Sequence, residues 1–189
     1  MLDKIIQKYR TTLIFTNTRN ATERIVHNLN EQFPGKYLGV IGAHHSSMAK
    51  SLRTGIEDRL RKGELRVVAT SSSLELGIDI GSIDFVILLR SPKGVARSAQ
   101  RIGRAGHKLH ENPRGKFIVM DRDDMVECAV LMKDIIENKI DKTEFPKNAL
   151  DVLAQQIYGM AITKVWNADD MLNVIRKSYC YKDLKKEQL

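Results

Sequence analysis

The stretch Gln100-Arg101-Ile102-Gly103-Arg104-Ala105-Gly106-His107 sets two guanidinium groups three residues apart. On a helix that spacing puts both on one face, and the planar fork of each guanidinium matches phosphate oxygens bidentately. Paired arginines of this kind stabilise the charge that develops as a phosphoryl group is transferred. A solvated basic face is the competing reading. The small side chains of Gly103, Ala105 and Gly106 weigh against it, because they allow close packing against something. A second stretch, Glu75-Leu76-Gly77-Ile78-Asp79-Ile80-Gly81, holds Asp79 between apolar neighbours with glycines on either side. That carboxylate either accepts backbone amides within a tight turn or takes a ribose hydroxyl or an arginine brought close by the fold.

Three hydroxyl-rich turns accompany these stretches: Thr16-Asn17-Thr18-Arg19, Gly42-Ala43-His44-His45-Ser46-Ser47, and Thr70-Ser71-Ser72-Ser73, each following an apolar run. In a parallel α/β sheet, ligands collect at the carboxyl ends of the strands, where loops and helix starts present backbone amides. Hydroxyls and amides hold phosphate without reading a base, which suits a protein that grips a nucleic-acid backbone of any sequence. Ser, Thr and Asn are also the favoured helix caps, so each turn alone has a capping explanation, and it is their recurrence at equivalent positions that points to a rim.

The elements that must position these residues alternate along the first two thirds of the chain. Residues 12–16, 37–41, 66–70, 84–89 and 116–120 read as strands rich in β-branched residues. Asn20 with Glu23 offers a capping box for a helix burying Ile25, Val26, Leu29 and Phe33, which Pro34-Gly35 stops. Ser46 or Ser47 caps a helix in which Met48, Leu52, Ile56 and Leu60 recur every four residues, ending at Gly63. Asp123 or Asp124 starts a further helix through about Glu137. The pattern predicts an α/β domain built on a parallel sheet over residues 1–145, then a helical segment over 146–189. That segment repeats apolar residues at Val152, Leu153, Ile157 and Met160 and again at Met171, Leu172 and Ile175. Such a pair makes little core alone, so it is expected to belong to a second domain that is incomplete here, with Tyr158 and Trp166 in its core.

Charge narrows the partners. In 189 residues, 31 basic and 23 acidic side chains leave a formal charge of +8, and a pI near 9.5 makes an anionic partner plausible. A basic surface without a nucleic-acid partner is the bland alternative. No apolar run approaches the roughly 20 residues that span a bilayer, and the amino terminus carries no apolar signal region, so neither a membrane nor secretion is expected. Cys128 and Cys180 lie far apart without metal-ligand spacing, which predicts neither a zinc site nor a disulfide and places the protein in the reducing cytoplasm.

In order and spacing, these segments resemble the second RecA-like domain of a superfamily 2 helicase, most specifically of the large helicase-related (Lhr) type. Thr12 to Arg19 resembles motif IV, Gly42 to Ser47 the His-His-containing segment that follows it, Thr70 to Ile80 motif V, and Gln100 to His107 motif VI. Asp121 to Asp124 with Val126-Glu127-Cys128, and Asn148 to Gln156, are similar to Lhr-type sequence in particular. The resemblance implies a RecA-like parallel sheet with flanking helices, a P-loop NTPase-like fold, followed by the helical start of a winged-helix domain. It implies that Arg101 and Arg104 are arginine fingers, that Gly77, Asp79, Gln100, Arg101 and Arg104 face ATP, and that Thr16, Asn17, Arg19, His45, Ser46, Thr70 and Ser71 contact the strand. His107 stands where many other superfamily 2 helicases carry arginine, so a capping or packing role is weighed there beside a phosphate contact.

Neither GxxxxGK[ST] nor an acidic DExH-type segment occurs in the sequence. ATP with Mg²⁺ is therefore expected to be held mainly by a first RecA-like domain of the same parent chain, and the chain alone is expected to be inactive. The expected activity is that of half a motor: an ATP-dependent 3′-to-5′ helicase or translocase acting on single-stranded or partly duplex nucleic acid, DNA ahead of RNA. The alternative is an autonomous nucleic-acid-binding module without nucleotide chemistry. A dinucleotide-binding metabolic enzyme is disfavoured, since no GxGxxG follows the first strand.

Overall fold

The computed structural model describes residues 1–75, 79–106, 112–142 and 144–189. They form two compact units, Met1–Asp141 and Lys142–Leu189.

The first unit is built on a parallel sheet of β1 (Thr12–Phe15), β2 (Ile41–His44), β3 (Val67–Thr70), β4 (Phe85–Leu89) and β5 (Gly115–Ile118). Their order across the sheet is β2-β3-β1-β4-β5. Helices α1 (Leu2–Ile6), α2 (Arg19–Gln32), α3 (Lys50–Arg61), α4 (Val95–Ile102) and α5 (Arg122–Ile136) flank it. Side chains alternate across a strand, so one register builds two cores. Leu13, Phe15, Val68, Val86 and Leu88 point into a layer with Leu60, Leu74, Ile80, Ile83 and Ala105. Ile14, Val67, Ala69, Phe85 and Ile87 point the other way, onto Ile6, Ile25, Leu29 and Tyr37.

Several local expectations change. Residues 37–40 form turns instead of opening a strand: the Val40 amide donates to the Tyr37 carbonyl at 3.1 Å, and Gly39 takes φ +75°. Tyr37 is wholly buried, its hydroxyl donating to Asp3 Oδ1 at 2.7 Å. Thr18 caps α2, its Oγ1 accepting from the Ala21 amide at 3.1 Å, in place of Asn20. Helix α3 begins after Ala49 with no side-chain cap, and Leu52 is left 61% exposed while Leu60 is buried. Asp121 caps α5 by accepting from the Asp124 amide at 2.8 Å.

In the second unit, α6 (Leu150–Thr163) and α7 (Ala168–Ile175) close around Leu153, Met171, Leu172, Ile175 and Leu184. Trp166 packs against that cluster and donates its indole N–H to the Met160 carbonyl at 3.0 Å. Tyr158 does not join it and stays 71% exposed. Among the described residues, no helix is long and apolar enough to cross a membrane.

Candidate functional site

The residues singled out in the sequence fall in two regions, the turns at the carboxyl ends of the strands and the stretch formed by α4 and the turn after it. At the carboxyl ends, Thr16 follows β1, and its amide donates to the Thr70 carbonyl at 2.8 Å. Its hydroxyl lies 2.8 Å from that of Thr22. Asn17 Nδ2 donates to the Ser91 carbonyl beyond β4 at 2.8 Å, and Arg19 reaches Ser47 Oγ, beyond β2, at 3.2 Å. His45 Nε2 lies 2.8 Å from Glu23 Oε1. One continuous rim therefore joins the turns after β1, β2 and β4. Asn17, Arg19 and Ser46 are exposed on it and Ser71 is half-buried. Thr16, His45 and Thr70 are buried, so their side chains brace the turns from within.

Beneath this rim His44 is almost fully enclosed, with Nε2 2.9 Å from Glu57 Oε1 and Nδ1 2.7 Å from Ser73 Oγ. An ionised carboxylate only accepts, so Nε2 carries a proton toward Glu57, and Ser73 Oγ also donates to the His44 carbonyl at 3.1 Å. Burial holds the imidazole below its ordinary pKa, with Glu57 opposing that shift. On the β4 side the buried Asp124 carboxylate accepts the Ser91 amide at 2.6 Å and the Met120 amide at 3.0 Å. It fixes the loop on which the Asn17 contact depends.

The arginine-bearing stretch differs from a single helical face. Helix α4 ends at Ile102, with Gly103 as its C-cap, where a Cβ would lie 3.0 Å from the Ala99 carbonyl oxygen. Arg101 is inside the helix and 4% exposed. Its Nε and one terminal nitrogen both donate to Glu75 Oε2, at 3.1 and 3.0 Å, and Arg97 Nε approaches Glu75 Oε1 at 3.3 Å. The guanidinium carbon sits 5.1 Å from the centroid of the Phe15 ring. Burial draws the Arg101 pKa down while Glu75 opposes it, and the guanidinium stays charged. Arg104 lies beyond the helix end and is half-buried, its amide donating to the Arg101 carbonyl at 3.1 Å. Gln100 is exposed.

Ala105 bridges to Ile83, ahead of β4. An eight-residue helix of about 12 Å thus carries the chain from the carboxyl rim back to the amino edge. Asp79 lies toward that edge too. Its Oδ1 accepts from the Gly81 amide at 3.1 Å, its carbonyl accepts from Arg61, and a Cβ on Gly81 would stand 3.2 Å from Arg61 Cα at the end of α3. Gly77 and His107 lie outside the described residues. Sequence reasoning missed Glu75, whose one local signal is a carboxylate flanked by Leu74 and Leu76 where a strand has just ended.

A five-stranded parallel sheet in the order β2-β3-β1-β4-β5 with flanking helices is the architecture of a RecA-like domain. Residues 1–108 match the helicase conserved C-terminal domain and residues 133–189 the winged-helix domain of large helicase-related proteins. The chain belongs to the helicase C-terminal domain family, in its large helicase-related (Lhr) branch. It is 54% identical over 188 residues to the ATP-dependent helicase Lhr-Core of Methanothermobacter thermautotrophicus, covering 99% of this chain and 22% of that protein. It is 32% identical over 214 residues to the Lhr helicase/uracil glycosylase of Escherichia coli, covering 98% of this chain and 14% of that one. The structure of Mycobacterium smegmatis helicase Lhr bound to ssDNA and AMP-PNP superposes with a TM-score of 0.92 at 34% identity, over 98% of this chain and 25% of that one. The chain thus spans about a fifth of the length of the curated Lhr-Core relatives it matches.

Proposed function

We propose that this chain supplies the second motor domain of an ATP-dependent helicase or translocase that moves 3′-to-5′ along a nucleic-acid strand, DNA in preference to RNA. The observation that carries this reading is the setting of Arg104. Helix α4 is anchored by the buried Arg101–Glu75 pair, stops at Ile102, and leaves Arg104 half-buried just beyond its last turn. A guanidinium so placed contributes most as charge shifts onto the leaving phosphate. In this reading ATP lies against Asp79, Gln100 and Arg104 and is held mainly by the first RecA-like domain of the parent protein. Arg101, engaged by Glu75, positions α4. Asn17, Arg19, Ser46 and Ser71 grip the strand at the carboxyl rim, with Thr16, His45 and Thr70 supporting them. Closing the cleft on ATP brings Arg104 to the phosphates and shifts the rim by a step, and hydrolysis releases it. Relatives named ATP-dependent helicases, and a similar structure holding ssDNA and AMP-PNP, support the reading. Among the described residues no group of three or more His, Cys, Asp or Glu side chains is placed to hold a metal ion, and no step of this chain runs through one.

The test is Arg104→Ala in the complete parent enzyme. Hydrolysis should fall by roughly 10³ to 10⁵, the worth of an arginine finger, with ATP binding, strand binding and melting temperature retained. Arg104→Lys should rescue poorly, because an ammonium keeps the charge and loses the planar fork. Hydrolysis at the parental rate in the alanine variant would overturn the assignment.

A further inference from the structure

The amino edge of the sheet, opposite the hydroxyl-rich rim, carries a groove lined mostly by residues outside the motif-bearing stretches, with Gly106 of the arginine stretch at one end. A cleft of about 760 Å³ opens there beside Lys8, Tyr9, Arg10, Lys62, Arg66 and Asp84. It shares Lys8, Tyr9, Arg10 and Asp84 with a second cleft of about 310 Å³ that continues to Arg114.

Two ordinary reasons put cations at such an edge. Helix carboxyl termini favour them, which accounts for Arg61 and Lys62 at the end of α3. Edge strands are blunted by them, which accounts for Lys116 in β5. Neither reason reaches Arg10 and Arg66, which precede the interior strands β1 and β3. Among the described residues, no carboxylate pairs with Lys8, Arg10, Arg66 or Arg114 (ion pairs elsewhere include Lys36–Asp3 and Lys93–Glu127). Two carboxylates line the clefts with them, Asp84, whose Oδ2 accepts the Arg10 and Thr11 amides at 3.0 and 2.9 Å, and Glu64, which lies 3.6 Å from Arg59 Nε, and against Lys8, Arg10, Arg61, Lys62, Arg66 and Arg114 they leave the lining positive.

The spacing of the cations selects the ligand. Arg66, Arg10 and Arg114 precede β3, β1 and β5, and with β4 between the last two they spread over three strand spacings, about 14 Å. The contiguous phosphates of a single nucleotide are too compact for that reach, whereas a polynucleotide backbone follows it. Between the cations sits Tyr9, half-buried with its ring stacked on Phe85 at 4.1 Å and 9°, a residue that lines both clefts. An aromatic platform inside a cationic groove is how proteins hold single strands without reading sequence.

We propose that this amino-edge groove is a second nucleic-acid surface, taking the sugar–phosphate backbone of a single strand along Arg66, Arg10 and Arg114, with a base on Tyr9. The proposal goes beyond the motor reading: the groove shares no residue with the strand-gripping rim, and it borders the nucleotide side of that reading only through Arg61 and Gly106. The test uses the 189-residue chain and a labelled oligothymidylate, titrated by anisotropy at several salt concentrations. Each phosphate contact to a single strand contributes about 0.7 to the slope of log affinity against log salt, so Arg10→Ser/Arg66→Ser/Arg114→Ser should flatten it by about 2. Arg19→Ser at the opposite rim should flatten it by about 0.7, additively. Photo-crosslinking with iodouracil-substituted oligonucleotide, mapped by mass spectrometry, should mark the peptide carrying Tyr9. An unchanged slope in the triple variant, with crosslinks confined to the carboxyl rim, would overturn the proposal while leaving the rim reading intact. Protection of the Tyr9 peptide by ATP alone or by polyglutamate, without oligonucleotide binding there, would overturn it in favour of a nucleotide or an acidic protein.

Discussion

Removing the Glu75 carboxylate should unfold the motor unit far more readily than its small size suggests. The Arg101 and Glu75 side chains are 5% and 10% exposed, so solvent barely screens the pair, and Glu75→Ala would strand a guanidinium beneath the sheet beside the Phe15 ring and the charge of Arg97. Breaking a buried pair from one side costs about 3–5 kcal/mol. For a protein of this length each kcal/mol lowers the midpoint by about 2–4 °C, so the expected shift is on the order of 10 °C. Glu75→Gln should cost less, because an amide oxygen in the place of Oε2 still accepts both Arg101 hydrogen bonds. Replacing both partners, Glu75→Ala with Arg101→Met, should recover much of the loss, since no buried charge is left unpaired. The single tryptophan lies in the second unit, so unfolding is best followed by far-ultraviolet circular dichroism, which sees the sheet. A loss below about 1 kcal/mol in Glu75→Ala, the ceiling of an exposed pair, would refute the claim that this pair is a buried strut. A double variant as unstable as the sum of the singles would refute it too.

His44 and Cys128 give two further tests. Burial lowers the folded pKa of His44 beneath its unfolded value of 6.5, so the unfolded chain binds the proton first. The stability this contributes is whole above pH 6.5 and is lost as pH falls below it. Denaturation midpoints measured across that range should decline in the parent and flatten in His44→Gln; a parallel decline would contradict the assignment. Burial pushes the Cys128 thiol up to about 11, whereas Cys180 is only half-buried. A disulfide reagent at mildly alkaline pH should therefore label Cys180 first and Cys128 only on unfolding, and mass spectrometry showing equal rates would contradict that burial.

The sequence by itself determined the elements whose pattern is local. The apolar runs that become β1, β3 and β4 are buried for nearly their whole length, so a continuous hydrophobic stretch between turn residues was sufficient to mark them. The hydroxyl turns were legible because they follow those runs directly, and the ordered motifs carried the family. Tertiary structure decided what each polar side chain faces. Arg101 and Arg104 are indistinguishable three residues apart, yet one is buried on Glu75, 26 positions away in sequence, and the other lies past the helix end, because Gly103 stops α4 between them. Thr16 and Thr70 look like Asn17 and Ser71 in a string of residues. The parallel pairing of β1 with β3 turns the first pair inward. The sequence likewise pointed to the carboxyl ends for every ligand, and only the return of α4 across the sheet brought Ala105 beside Ile83 at the opposite edge. Burial of a polar group depends on which distant segment packs over it, and that is a property of chain topology which no local periodicity encodes.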